Sequence, residues 1–217
     1  MSEPSRGAGR VPLDAAAVER LRSQAAALTE PMVEFARKLV RTPSLPGREQ
    51  DAAQVMVTEM QALGFDEVWL PESGHGRGPP GRIMFNAHLD HVDVGDPARW
   101  PHPPYGADVE GGYIWGRATS DLKGSVAAQV YALALARQSG LPLANDLYVS
   151  GVVQEEIGGH GSDMLAEQIA LDYVIIGEPS ENRLALGHRG RIEIQVQIRG
   201  RSVQASVDHS GFASWSW

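Results

Sequence analysis

The amino-acid sequence predicts an α/β fold with a mixed, largely parallel sheet flanked by helices. Strand-like segments alternate with helix-like segments along most of the chain. Several of the strand-like segments are apolar throughout, as is typical of strands that helices cover on both faces. With 217 residues the chain is also long enough to bury a substantial core.

The first third of the chain is predicted to be mainly helical. Apolar residues recur at helical spacing in three segments, Pro31 separates the first two, and Thr42-Pro43 ends the second. Gly64 stands where the third helix would end. We predict, in order, a disordered tail over 1–12, helices over 15–28, 31–40 and 48–63, a strand over 66–70 and a Gly- and Pro-rich loop over 71–81.

The middle of the chain alternates between strands and helices. The predicted strands are 83–88, 113–115, 147–153 and 173–177, and the predicted helices are 126–136 and 160–169. Segment 191–199 differs, because apolar and polar residues alternate strictly along it. This pattern predicts a strand with one buried face, the first of a second, antiparallel module. We therefore expect one domain over 13–187 and the start of another over 188–217.

Composition excludes several function classes. There are 27 acidic against 19 basic residues and a net charge of −8, the wrong sign for a nucleic-acid partner. No apolar run approaches the roughly 20 residues of a membrane span and no signal core is present, so we expect a cytoplasmic protein without a membrane partner. Because the chain has no Cys, a metal site would have to use His, Asp and Glu.

Acidic or His-bearing residues follow several predicted strands. They are His88-Leu89-Asp90, Ser120-Asp121, Glu155-Glu156 and Glu178-Pro179. Sites in open α/β sheets form at the carboxyl ends of the strands, so these segments are expected to converge on one crevice.

The spacing of these residues suits metal chemistry. In an extended chain His88 and Asp90 point to the same side, so Asp90 can accept the N–H of one imidazole nitrogen and leave the other for a metal. Glu155 and Glu156 diverge, so one can bind a metal while the other reaches a water molecule. Glu178 ends an apolar strand, where a carboxylate needs a partner.

Each pattern also has a purely structural interpretation. His88 could satisfy a backbone carbonyl in a capped loop, and Glu155 and Glu156 could form a solvated acidic turn. Asp121 precedes a helix and could be only its N-cap. A serine hydrolase is disfavoured because the chain has no Gly-x-Ser-x-Gly elbow.

The ordered set of motifs indicates a family more specifically than any single motif does. The set comprises His88-Leu89-Asp90, residues 116–124 (Gly-Arg-Ala-Thr-Ser-Asp-Leu-Lys-Gly), Gln154-Glu155-Glu156 and Gly177-Glu178-Pro179. It resembles the co-catalytic zinc metallopeptidase and amidohydrolase family of acetylornithine deacetylase, succinyl-diaminopimelate desuccinylase and glutamate carboxypeptidase. The resemblance runs from about residue 29 to 201, and segments 91–96 and 187–191 are most similar to the branch of selenium-metabolism hydrolases.

The resemblance implies a zinc-peptidase-like fold and a role for each site residue. His88, Asp121 and Glu178 would hold one metal, and Asp121 would bridge to a second that Glu156 also binds. Asp90 would orient His88, and Glu155 would be the general base. The implied cofactor is zinc, two ions per site, with cobalt or manganese as alternatives. The implied substrate is a small-molecule amide, an N-acyl amino acid or dipeptide, and the intact family forms homodimers.

The sequence departs from the family pattern near its C-terminus. Family members carry a last His ligand late in the chain, whereas this chain ends at Trp217, and Gln204 stands where relatives have a His that stabilises the oxyanion. We therefore expect a C-terminally truncated chain with an incomplete second metal site, only the start of a dimerisation and lid domain, and impaired hydrolase activity. The alternative is a non-catalytic metal-binding fragment or interaction module.

Overall fold

The computed structural model describes residues 14–70, 81–143, 145–187, 189–190, 192, 194 and 196. The predicted tail over 1–12, most of the loop over 71–81, and Gln204 lie outside these residues, as does most of the strand predicted over 191–199. The chain divides into two units after Asn182. The second unit exposes the side chains of Ile192, Ile194 and Val196. The domain boundary near 187–190 stays a prediction.

The described part of the first unit contains four α-helices and five strands. Their bounds are α1 Ala15–Arg41, α2 Gln50–Ala62, β1 Ile83–His88, β2 Asp108–Glu110, β3 Tyr113–Trp115, α3 Gly124–Gln138, β4 Leu147–Val152, α4 His160–Gln168 and β5 Tyr173–Ile176. A 3₁₀ turn spans Pro97–Arg99, and a π-type turn, Thr119–Lys123, leads into α3. No helix in the described ranges is both long and apolar enough to cross a membrane.

The sheet that positions the site has the strand order β4-β1-β5, with both neighbours parallel to β1. Ile83 at the start of β1 pairs with Leu147 on one side and with Tyr173 on the other. Since the three strands run in the same direction, their carboxyl ends lie at one edge. The prediction of a largely parallel sheet flanked by helices is confirmed.

Two local predictions are wrong. The helices predicted over 15–28 and 31–40 form one helix, α1, which continues through Pro31. Proline inside a helix costs roughly 3 kcal/mol, and burial of Phe35, Leu39 and Val40 later in α1 offsets this cost. The strand predicted over 66–70 has no strand pairing. The strand predicted over 113–115 does form, as half of the β2–β3 hairpin.

The core lies between the sheet and the first three helices. Its buried residues come from α1, α2 and α3 and from the end of β1, and they include Phe35, Met56, Leu89, Leu122 and Val130. Strand β5 departs from the expected burial on both faces, because its side chains are between 46% and 67% exposed. The strand is apolar for its whole length, yet all four of its residues are exposed, whereas every residue of β1 is buried or half-buried.

Candidate metal centre

The centre is built around His88, the last residue of the central strand β1. Its side chain is only 2% exposed. Parallel pairing on both sides of β1 brings the carboxyl ends of β4 and β5 beside it. The sequence-predicted acids that follow these strands are therefore delivered to the same edge, as expected for a site in an open α/β sheet.

Each ring nitrogen of His88 has its own partners. Nδ1 lies 2.9 Å from the main-chain oxygen of Asp90, and the carboxylate of Asp90 is more distant at 3.6 Å. Nε2 lies 3.0 Å from Oδ1 of Asp121 and 3.8 Å from Oε1 of Glu178. A main-chain acceptor therefore fixes Nδ1, and Nε2 faces two carboxylates.

Asp121 reaches His88 from the turn that precedes α3. Within the π-type turn Asp121 has extended dihedral angles, φ −127° and ψ 86°, and its peptide bond to Leu122 is cis. The N-cap of α3 is Lys123, and no side chain caps this helix. The N-cap interpretation of Asp121 is therefore wrong, because its carboxylate faces His88 instead.

Glu178 is held by an extension of the β1–β5 ladder. The N–H of Gly177 donates to the main-chain oxygen of Asn86 at 2.9 Å, one residue beyond the end of β5. A Cβ at Gly177 would collide with Ser125 and Gln129 of α3, so glycine allows this close passage of the chain. Glu178 then follows directly, with its side chain 47% exposed on the open side of His88.

The carboxylate of Asp90 contacts the chain after β4. Its two oxygens accept the backbone N–H groups of Glu155 and Glu156, each at 3.1 Å. Asp90 is fully buried, so these contacts are shielded from water. The contact of Asp90 with the Glu155-Glu156 turn was not predicted, because backbone donors leave no pattern in a sequence.

Glu156 stands beside the three-residue cluster and does not belong to it. It lines a cavity of about 170 Å³ together with Asp121, His91 and the 116–120 segment. Burial raises the pKa of Glu156, and the negative charge of Asp121 raises it further. Burial and a neighbouring like charge both disfavour the ionised form of a carboxyl group, and a positive charge placed between the two acids would favour it.

Burial and neighbouring charges also shift the pKa values of His88 and Glu178. Burial alone would lower the pKa of His88, but hydrogen bonds to Asp90 and Asp121 and the charge of Glu178 outweigh it and raise the pKa to about 9. Burial raises the pKa of Glu178, and although His88 opposes this effect, the neighbouring acids add to it. The surrounding carboxylates thus favour a positive charge at Nε2, which a proton or a metal ion can supply.

The donor set fits a divalent metal. One ligand atom from each of His88, Asp121 and Glu178 lies within 4.8 Å of the other two. Ligand atoms about 2 Å from a tetrahedral zinc ion lie roughly 3.3 Å apart, close to the 3.0 Å and 3.8 Å separations from Nε2. The three residues proposed for the first metal are thus brought together, whereas Glu155, Glu156 and Asp90 surround them.

Two buried side chains next to the site motifs, Lys123 and His91, make hydrogen bonds to the main chain. Lys123 donates from Nζ to the main-chain oxygens of Leu39 and Thr42, at 2.9 Å and 2.7 Å, at the end of α1. Burial lowers its pKa to about 7. His91 accepts the N–H of Ser44 at Nε2, at 3.0 Å. Both side chains tie the end of α1 and the segment after it to the site.

Comparison with known proteins decides the family. The sequence model of Peptidase family M20/M25/M40 matches residues 84–215. The chain belongs to this family. The M20 match includes all six sequence-predicted site residues, which lie between 88 and 178.

Individual relatives agree with the M20 assignment. The chain is 32% identical over 188 residues to "Uncharacterized protein YgeY" of Escherichia coli strain K12, covering 83% of this chain and 46% of the relative. It is 29% identical over 184 residues to succinyl-diaminopimelate desuccinylase of Maricaulis maris, covering 77% of this chain and 47% of the relative. The chain therefore spans about half the length of the curated M20 relatives it matches.

A solved structure shows the same fold. Human carnosine dipeptidase 1 superposes with a TM-score of 0.57 at 21% identity, over 76% of this chain and 41% of that protein. At this identity the likeness supports the fold alone. The M20 fold, with helices flanking a mainly parallel sheet, is the architecture seen in the described residues.

Proposed function

We propose that this chain carries the metal-dependent hydrolytic centre of an M20 enzyme that cleaves the amide bond of a small N-acyl amino acid or dipeptide-like substrate. The observation that carries the proposal is the convergence of His88, Asp121 and Glu178 at the carboxyl edge of the sheet. The succinyl-diaminopimelate desuccinylase relative supports an N-acyl amino acid substrate, and membership of a peptidase family supports a dipeptide.

In this proposal His88, Asp121 and Glu178 hold one divalent metal, and Asp121 with Glu156 contributes to a second. Zinc suits this mixture of imidazole and carboxylates, with cobalt or manganese as substitutes. When bound, such ions polarise an amide carbonyl and lower the pKa of water.

The protein groups around the metals have separate tasks. Glu155 accepts a proton from the attacking water and returns it to the leaving amine, as expected of a carboxylate next to a metal ligand. Asp90 holds the main chain of Glu155 and Glu156 through its two carboxylate oxygens. The main-chain oxygen of Asp90 holds Nδ1 of His88, so that Nε2 faces the metal.

A second candidate function is a metal-binding module without turnover. It is favoured by the fact that three ligand atoms form the compact cluster while Glu156 remains outside it. Both candidates require bound metal. They differ in whether the chain hydrolyses a substrate, with Glu155 transferring the proton from water to the leaving amine.

The deciding experiment combines metal analysis of the 217-residue chain with hydrolysis assays on N-acetyl amino acids and dipeptides. We expect bound zinc and weak turnover that Glu155→Gln abolishes while metal content stays unchanged. Glu167→Gln, an exposed acid on α4, is the matched control and should leave both unchanged. Metal without turnover would favour the module, and a chain that binds no zinc would overturn both candidates.

A further inference from the structure

The turn that carries Glu155 and Glu156 is bound by carboxylates at three successive backbone N–H groups. Asp90 accepts those of Glu155 and Glu156, each at 3.1 Å. The preceding N–H, of Gln154, donates to Oε1 of Glu49 at 3.0 Å. Successive N–H groups in a turn form a concave donor surface for an anion, and here two side chains of the protein occupy it.

Glu49 reaches this turn from a distant part of the sequence. It immediately precedes α2 and is only 5% exposed. Its side chain makes no capping bond to α2, although its position would allow one. Instead Oε1 accepts from Gln154 and from the N–H of Gly47, also at 3.0 Å. Burying a carboxylate costs free energy unless hydrogen bonds replace its lost hydration. Glu49 makes no such bond to α2, so its contacts with Gln154 and Gly47 provide this compensation.

The backbone at Gln154 needs such support. Gln154 has a positive φ of 56°, a conformation that non-glycine residues adopt at a cost. Because Gln154 directly precedes the two glutamates, a rotation here would swing both carboxylates away from His88. A misplacement of about 1 Å in a catalytic group can reduce turnover roughly 100-fold.

We propose that Glu49 is a positioning residue for the metal centre, which holds Gln154 in its left-handed conformation and thereby places Glu155 and Glu156 beside His88. This role rests on the proposed function only for the chemical tasks assigned to Glu155 and Glu156. The hydrogen bond itself ties the N-terminal side of α2 to the end of β4 without touching any proposed metal ligand.

The test compares three variants of the full chain. Glu49→Leu removes the acceptor at similar volume, and Glu49→Gln keeps an oxygen that can accept from Gln154. Asp172→Ala is the matched control, because Asp172 also accepts two successive backbone N–H groups, of Gly81 and Arg82, but at the opposite end of β1. If Glu49→Leu does not fold, Glu49→Asp, which shortens the side chain by one methylene, replaces it.

Amide hydrogen exchange reports the turn directly and needs no metal. We expect Glu49→Leu to speed exchange at residues 154–156 by about tenfold, the order of one lost hydrogen bond. Glu49→Gln should restore most of the protection, and Asp172→Ala should leave these amides unchanged even where it lowers the melting temperature. Unchanged exchange in Glu49→Leu would overturn the proposal.

Co²⁺ titration, followed by its visible absorption, then separates the positioning role from general stability. Glu49→Leu should weaken the binding step that Glu156→Gln also weakens, by roughly 10- to 100-fold, and Glu49→Gln should bind Co²⁺ as the wild type does. If Glu156→Gln loses a step that Glu49→Leu keeps at full affinity, the positioning role is wrong. If the wild type binds no Co²⁺, the proposed function fails, and the exchange result alone decides the role of Glu49.

Discussion

At the scale of single residues, His88 shows how one side chain can organise a site. Its Nδ1 is fixed by the main chain of Asp90, and its Nε2 faces Asp121 and Glu178. Without metal, these contacts raise the pKa of His88 to about 9, so the ring is protonated at neutral pH. Metal binding must then displace that proton, which makes the affinity depend on pH.

Replacing Glu178 tests the three-residue cluster with little expected loss of stability. Glu178→Ala should reduce zinc affinity by more than the roughly 10- to 100-fold lost when an outer partner is removed, because the change removes a proposed ligand. The melting temperature without metal should change little, since the side chain is nearly half exposed. Isothermal titration with zinc measures the effect, with Glu167→Ala on α4 as control. Equal affinities in Glu178→Ala and wild type would remove Glu178 from the site.

The residues of the site could be predicted from the sequence, but most of their hydrogen-bond partners could not. Residue type and position near predicted strand ends singled out His88, Asp121 and Glu178, the family resemblance implied that they hold one metal, and the structure brings them together. The contacts of Asp90 with the Glu155-Glu156 turn and of Glu49 with Gln154 are to backbone N–H groups. A side chain that binds a distant backbone has no partner residue type to reveal it, so the sequence did not single out Glu49.

At the scale of elements, buried polar contacts tie the three core helices together. Tyr131 on α3 donates its hydroxyl to Glu59 on α2 at 2.5 Å, and Glu59 also pairs with Lys38 on α1 at 3.2 Å. Tyr131 is only 4% exposed, whereas Lys38 is about half exposed. The Tyr131–Glu59 bond therefore contributes most of the stability of this contact, because exposed ion pairs contribute little.

Tyr131→Phe should lower the free energy of unfolding by about 1.5–3 kcal/mol, the order for a hydrogen bond to a charged group. The ring packing against Phe35, with centroids 6.1 Å apart, should be retained because only the hydroxyl is removed. Urea unfolding measures the loss. Tyr113→Phe on β3 is the control, because Tyr113 is 70% exposed. A loss in Tyr131→Phe no larger than in Tyr113→Phe would show that the bond does not stabilise the helices.

The same bond predicts a pH dependence at alkaline pH. Burial raises the pKa of Tyr131, and the hydrogen bond to Glu59 and its charge raise it further. Because the folded pKa lies above the unfolded value of about 10, the stabilisation is complete below that pH and is lost as the pH rises beyond it. The stability difference between wild type and Tyr131→Phe, measured by urea unfolding, should therefore shrink above about pH 10. A constant difference would contradict the raised pKa.

Element types were more predictable than their boundaries and pairings. Apolar spacing located α2, α3 and α4 and the strands of the parallel sheet, because burial of one face or two leaves a periodic pattern. Pro31 predicted a break that tertiary packing of α1 overrides. Strand β2 was missed because two of its three residues are acidic, unlike the apolar and aromatic residues of β3, and its hairpin depends on pairing with β3.

At the scale of the whole molecule, strand β5 is an exposed apolar strand. Its four residues are all apolar and are between 46% and 67% exposed. Among the described strands only β1 pairs with it, and no strand in that part of the chain pairs with its second edge. An open, apolar edge strand can pair with another chain. We therefore expect the protein to associate through β5 as its concentration rises.

A charge on β5 should suppress this association without affecting the metal centre. Val174→Lys places an ammonium group at a position that is 50% exposed and four residues before Glu178. Charged side chains on edge strands oppose intermolecular pairing. Light scattering over a concentration series should show a lower average mass than for the wild type, at equal zinc content. Val109→Lys on β2 is the control, because Val109 is similarly exposed at 53% but belongs to the hairpin. If both variants reduced the mass equally, net charge would be the cause and β5 would not be the contact.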